Sequence, residues 1–343
     1  MNQTAPYMGP IFITLDASSF PQEGPWRVIV QSLVPLGMFT VLLNLGVLGA
    51  CVMRRFDKPM VFYIALCVIT DALWVCVLIA TFVRGLLAVK RRIYFTECLI
   101  HVYSIDCVGF SQFFIQWLMD IDRYWAILRP YSYAVWTAKR KGMVFLALGV
   151  IGTTITIIMS HPIFALYFYF CNNELTISEA FCMMGFLFNI ACGGKTVANI
   201  TILIIAYSVY ILSTITIIFT SWRIISLCRN SSSSTFSNKA LHTCCTQIMV
   251  FVLKVGSRMA FVISVRLRDH SVSFRLILYI LCMFTSPIAD PLIYGLRTKE
   301  IRSPLTRLYR RWNKHYFFKF DIWKVKHCLV GPQHPEKRSS LTK

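Results

Sequence analysis

Seven stretches of this chain stay apolar for about 20 residues or more, the length a helix needs to cross roughly 30 Å of hydrocarbon. They are residues 28–53, 60–82, 98–121, 143–170, 197–222, 242–265 and 274–296. A membrane-spanning strand would instead alternate apolar and polar residues over about ten positions, and these stretches do not alternate. The predicted fold class is an all-α membrane protein, a bundle of seven transmembrane helices. Composition agrees: 56% of the 343 residues are hydrophobic and only 15% are charged. A soluble domain that apolar has nowhere to put its surface.

Basic residues set the orientation, because cytoplasmic loops are enriched in Lys and Arg. With the C-terminus inside, the inner loops and tail carry 24 of the 35 basic residues and the outer segments carry nine. Lys254 and Arg258 fall inside the sixth run. The first outer loop disagrees, with Arg84, Lys90, Arg91 and Arg92, but the total decides. Residues 1–27 are then an extracellular N-terminus, 28–296 the membrane domain and 297–343 a basic cytoplasmic tail. No basic n-region precedes the first run, which is expected to act as its own insertion signal. Asn2-Gln3-Thr4 is a glycosylation sequon on the outer side. The match at Asn199-Ile200-Thr201 lies within the fifth run, out of a transferase's reach. Basic residues interleave with Leu, Tyr, Trp and Phe over 301–318, which predicts an amphipathic helix on the inner leaflet, with Pro304 confined to its first turn or breaking it. The net charge of +20 sits largely in this tail, where an anionic leaflet explains it better than nucleic acid does.

Of 13 cysteines, only Cys98, Cys171, Cys182 and Cys192 fall near the outer face, where disulfides form. Four such cysteines allow three pairings. No nucleotide loop, zinc signature or Ser-His-Asp arrangement is present, and the Gly-x-Gly-Asp motif of intramembrane aspartyl proteases is missing. The internal repeats and broken helices of transporters are likewise not seen. An enzyme is not expected, nor a cofactor.

Several motifs recur in a fixed order. Arg54-Arg55-Phe56-Asp57-Lys58-Pro59-Met60-Val61-Phe62 leads into the second run, and Leu66-Cys67-Val68-Ile69-Thr70-Asp71 lies within it. Met119-Asp120-Ile121-Asp122-Arg123-Tyr124 ends the third, 25 residues after Cys98. Lys239-Ala240-Leu241-His242-Thr243-Cys244 opens the sixth. Pro287-Ile288-Ala289-Asp290-Pro291-Leu292-Ile293-Tyr294 closes the seventh. Together these resemble class A G-protein-coupled receptors of the odorant receptor family, fish odorant receptors most closely, over most of residues 28–302. The resemblance implies a plasma-membrane receptor that binds a small-molecule odorant inside the bundle and activates a heterotrimeric G protein of the stimulatory, olfactory type. It implies disulfides Cys98–Cys182 and Cys171–Cys192, the first worth about 2–4 kcal/mol. It also implies a switch in which Asp122 holds Arg123 at rest, with Tyr124 and Tyr294 beside it. Asn44, Asp71 and Asp290 are implied to surround water and often a sodium ion; plain polar glue between helices is the other reading.

Charges at bilayer depth cost about 2.5–3.5 kcal/mol each and need a partner or a role. Lys254 and Arg258, at i and i+4, share one helix face, and position 254 is usually Phe in the family. Asp106 lies at a depth comparable with Arg258. Either the two form a buried salt bridge, or Arg258 grips a ligand carboxylate bidentately and Asp106 an ammonium. A polar or charged ligand suits the second. The rest of the candidate lining is apolar and aromatic, as small-ligand pockets are: Tyr103, Cys107, Phe110, Ser111, Leu203, Ala206, Phe261 and Tyr279. Asp120, Trp222, Gln247, Val255 and Asp290 depart from the family pattern.

Overall fold

The computed structural model describes residues 12–18, 24–56, 58–88, 90–138, 147, 149, 151, 174–190, 195–229, 234–266, 272–298, 300–307 and 310. In chain order the elements are β1 (Phe12–Asp16), α1 (Pro25–Met53), α2 (Pro59–Ala88), β2 (Lys90–Tyr94), α3 (Phe95–Leu128), α4 (Pro130–Ala138), β3 (Glu174–Ile177), α5 (Met184–Ile190), α6 (Lys195–Arg229), α7 (Ser234–Arg266) and α8 (Val272–Arg297). Helices α1, α2, α3, α6, α7 and α8 contain six of the seven apolar runs. The run 143–170 lies outside the described residues apart from three isolated positions.

Among the described residues, five stretches are long and apolar enough to cross a membrane: Arg27–Met53, Pro59–Ala88, Phe95–Leu128, Tyr210–Leu227 and Phe274–Leu296. Helix α7 is long enough at 33 residues, but Lys254 and Arg258 interrupt its apolar character. Large apolar side chains such as Leu42, Leu73, Ile218 and Leu281 stay exposed on the bundle's flanks. That is where acyl chains would cover them.

Inside, two apolar clusters are stacked along the bundle. The outer one joins Leu33, Phe82, Val102, Phe181, Phe186 and Tyr279 to the disulfide-bonded pair Cys98 and Cys182. The inner one gathers Val47, Tyr63, Ile64, Met119, Tyr294 and Ile301. Between them five of the long helices contribute buried polar residues: Asn44 on α1, Asp71 on α2, Gln112 on α3, Lys254 and Arg258 on α7, and Ser286 and Asp290 on α8. A sandwich of apolar, polar and apolar layers is thus built from one or two polar interruptions on each of these helices.

The outer face carries a small sheet that the sequence reading lacked. Strand β1 pairs antiparallel with β2, setting Phe12 opposite Tyr94 and Asp16 opposite Lys90, and parallel with β3. Ile13 and Leu15 of β1 point into the outer cluster. On the other face the Phe12 and Tyr94 rings meet at 4.9 Å, and the Arg92 guanidinium lies 4.2 Å over the Phe12 ring. Cross-strand pairs of this kind stabilise a ladder by a few tenths of a kcal/mol to about 1 kcal/mol each. The basic first outer loop is therefore an edge strand, and charged edges discourage further pairing.

At the inner face α1 ends on two non-glycine residues with positive φ, Arg55 (50°) and Phe56 (53°). The turn is held from the far end of the chain: Arg54 donates to the Glu300 carbonyl at 2.9 Å and to Ser303 Oγ, and Lys58 meets Glu300 at 2.7 Å. Residues 300–307 are helical. Ile301 and Arg302 donate to the Thr298 carbonyl, so Pro304 is accommodated within that short helix, buried. The remainder of the expected amphipathic stretch, to residue 318, lies outside the described residues except residue 310.

Candidate functional site

The polar layer is assembled by side chains that each solve a local backbone or charge problem. Pro291 has no N–H, so the carbonyl of Pro287, four residues back, loses its helical donor. Asn44 supplies one: its Nδ2 donates to Pro287 O at 2.8 Å and to Thr40 O at 2.9 Å, fastening α1 to α8. Asp71 accepts from Gln112 Nε2 at 2.6 Å and from Ser286 Oγ at 3.4 Å. The other end of Gln112, Oε1, accepts from Arg258 Nη2. Arg258 Nη1 donates to Gly109 O at 2.8 Å, and its guanidinium lies 4.6 Å from the Trp74 ring centroid and 4.9 Å from that of Phe113. A Cβ at position 109 would stand 3.2 Å from Arg258 Nη1 and 3.3 Å from Trp74. Glycine is what permits that approach.

The structure decides one alternative left open by the sequence. Arg258 does not bind Asp106; its donors go to Gly109 and Gln112. The reason is rotation along α3: each three-residue step falls about 60° short of a full turn, so the face that Gly109 and Gln112 present to α7 is not centred on Asp106. Lys254 finds an acid on a different helix, its Nζ standing 2.5 Å from Asp290 Oδ2, with side chains 4% and 1% exposed. Two departures from the family pattern are thus partners. Buried Asn44 Oδ1, Asp71 Oδ2 and Asp290 Oδ1 accept no hydrogen bond among the described residues, but the Lys254 ammonium beside Asp290 already balances its charge, and the implied sodium ion does not fit that charge set.

The rest of the expected pocket is placed in part. Tyr103, Asp106, Cys107 and Phe110 are half-buried along α3. Ser111 is buried and its hydroxyl donates to the Cys107 carbonyl at 2.8 Å. Leu203, Ala206 and Phe261 fall on α6 and α7, but their side chains lie outside the described residues. So do Cys171, Cys192, Asn2 and Gln247. Tyr279 belongs to the roof rather than the floor, its ring 4.9 Å from Phe181 and 5.9 Å from Phe82.

That roof is tethered at three points. The Cys98–Cys182 disulfide joins α3 to the second outer loop with Cα atoms 5.5 Å apart. A His101 ring nitrogen, Nδ1, lies 3.1 Å from Cys182 O. Glu179 of the same loop pairs with Arg275 at 2.7 Å and accepts from the Tyr279 hydroxyl at 3.5 Å. Burial pushes the Glu179 carboxyl up to about 7 from 4.5, with Arg275 and Tyr279 opposing the rise. A carboxyl that holds its proton more tightly when folded stabilises the fold at low pH, and that contribution is lost as pH climbs from about 4.5 to about 7. The melting midpoint of the purified protein is therefore expected to fall across that window. Glu179→Gln should flatten that part of the curve; an unchanged slope would remove Glu179 as its source.

The inner end differs from expectation. Asp122 accepts the Tyr133 hydroxyl of α4 with both carboxylate oxygens, at 3.0 and 3.2 Å. Arg123 is not held by Asp122; it turns inward, Nη2 donating to Met119 Sδ at 3.6 Å. Adjacent helix residues do not face each other, so a hydroxyl presented by α4 takes Asp122 while Arg123 follows its own face. Tyr294 donates to Gln116 Oε1 at 3.4 Å, and Gln116 Nε2 reaches Asp120 Oδ1 at 3.4 Å. Asp120, Arg123, Thr220, Ser221 and Cys244 line an internal cavity between α3, α6 and α7. Tyr124 packs on Phe219 of α6, and Trp222 is exposed.

Comparison with known proteins places this architecture. The family model described as olfactory receptor matches residues 39–311. The chain belongs to the olfactory receptor family. It is 26% identical to human olfactory receptor 1L1 over 301 residues, 88% of this chain and 82% of that protein. Human olfactory receptor 10J4 is 27% identical over 74% of this chain and 80% of its own length. Mouse olfactory receptor 4M1 is 24% identical over 83% of this chain and 90% of its own. Membership makes this olfactory receptor a multi-pass plasma-membrane protein and a G-protein-coupled signalling receptor.

Proposed function

We propose that this olfactory receptor binds a small polar or charged odorant in the outer half of the bundle and activates a stimulatory, olfactory-type G protein through the inner ends of α3, α6 and α7. The observation that supports a pocket at this level is the division of the interior: a tethered roof above, a closed polar layer below, and half-buried Tyr103, Asp106, Cys107 and Phe110 on α3 between them. Arg258 is a strut of the floor, held to α3 by two hydrogen bonds and bracketed by two rings. Asp106 is the carboxylate for a ligand ammonium, and Ser111 and Tyr279 belong to its surroundings. At the inner end, Asp122 and Tyr133 set the resting position of the switch, and Arg123, at the inner end of α3, is the side chain a G-protein helix would meet.

The test is cyclic AMP in cells expressing the receptor with a stimulatory olfactory G protein, challenged with amines, amino acids and carboxylates, with surface level measured in parallel. Asp106→Asn is expected to keep its surface level and to lose potency for amine-bearing agonists by about tenfold or more, the order of one charge-assisted hydrogen bond. Arg258→Ala is expected to lose surface level along with response, as a strut would. A normal surface level in Arg258→Ala with response abolished would return Arg258 to the ligand. Equal potency in Asp106→Asn would remove the carboxylate from the pocket.

A further inference from the structure

The polar layer contains four formally charged side chains, and their charges cancel. Asp71 and Asp290 face Lys254 and Arg258 within the buried interior. Arg258 reaches Asp71 through Gln112, one amide bridging the two. Lys254 meets Asp290 directly at 2.5 Å, and both lie within electrostatic reach of Asp71. We propose that the Lys254 ammonium is the layer's own tethered cation, and that this receptor takes up no sodium between Asp71 and Asp290.

Three observations lead there. First, position: the ammonium stands 2.5 Å from Asp290 Oδ2, on a side chain with almost no exposure, so the acid a sodium ion would be drawn to already holds a cation. Second, charge: with two carboxylates and two cations the layer is neutral, and one more monovalent ion would leave an uncompensated charge at bilayer depth, which is unfavourable. Third, chemistry of substitution: a lysine at 254 and an aspartate at 290 each depart from the Phe and Asn usual in the family. Either alone would bury a lone charge; together they neutralise each other. A covalently attached cation also differs from a free one in a way that matters for signalling. It cannot leave, so neither its presence nor its effect follows the salt outside the cell.

The test uses the full receptor purified in lipid nanodiscs, with the thermal unfolding midpoint measured in sodium chloride and in choline chloride at equal concentration. No odorant or G protein is needed, so the result is independent of the ligand assignment above. Wild type is expected to give the same midpoint in both salts. Lys254→Gln leaves the layer one charge negative while still offering Asp290 a donor. Its midpoint is expected to rise with sodium and to saturate, as binding to the native state requires. Lys254→Met should behave alike, and if it fails to fold, Lys254→Gln carries the test. The double variant Lys254→Met/Asp290→Asn restores neutrality and is expected to ignore sodium again. A saturable sodium shift in wild type, or sodium indifference in Lys254→Gln, overturns the proposal.

Discussion

Asp290→Ala is expected to remove most of this receptor from the cell surface, and Lys254→Met added to an Asp290→Asn background is expected to restore it. The argument is the asymmetry of buried ion pairs. Taking away one partner strands the other charge and costs roughly 3–5 kcal/mol, whereas replacing both with neutral groups of similar volume is often harmless. Among the described residues, the ion pair of Lys254 is with Asp290 Oδ2 alone. Asp71 is already engaged by Gln112 and Ser286. Against a total stability of about 5–15 kcal/mol, the loss would be large enough for quality control to retain the protein. Surface staining by flow cytometry, with melting midpoints of whatever is recovered, measures both variants. Normal surface levels in Asp290→Ala would mean that Lys254 reaches water or another acid on its own, and the pair would lose its structural role.

Much of this arrangement was legible beforehand, and what was not has physical causes. Charges in apolar runs announce themselves, so Asp71, Asp290, Lys254 and Arg258 were all identified as needing partners. Which partner each takes depends on how far each helix is rotated about its axis, and sequence spacing carries that only within one helix. The i and i+4 spacing of Lys254 and Arg258 places both on one face of α7, but it does not say that Gly109 and Gln112, not Asp106, hold Arg258. The two buried glutamines of α3 carry no charge to mark them. Gln112 and Gln116, one helical turn apart, are the central acceptors and donors of two layers. A rule that flags buried Gln in an apolar run as readily as buried Asp would have found them. Tyr133 lies past the third run, where nothing in the sequence marks it as facing back toward Asp122. The outer sheet rests on Phe12–Asp16, five residues of alternation whose ladder partners are 74 or more positions away, too short a signal for periodicity to carry. The Cys98–Cys182 bond, by contrast, was one of three pairings open to the residues and followed from the family resemblance.

That bond supports the second large effect. Cys98→Ser is expected to abolish surface expression, and Cys182→Ser to match it, with the double variant no worse than either. The two residues are separated by 84 positions, and in the chain-entropy account a closed loop of that length stabilises by about 4–5 kcal/mol. The structure adds what the tether holds. Phe181, next to Cys182, packs 5.4 Å from Phe82 and 4.9 Å from Tyr279, and two residues further back Glu179 grips Arg275. Releasing Cys182 frees the loop that carries both contacts, so the outer cluster loses its lid along with its crosslink. The energetics are shared, which is why the two single variants and the double should coincide instead of adding. Mild reduction of the assembled wild-type receptor gives an independent check: it should lower the melting midpoint by as much as the substitutions do. An additive double variant would show that the two cysteines stabilise the outer face separately, and the tether would then be secondary to their packing.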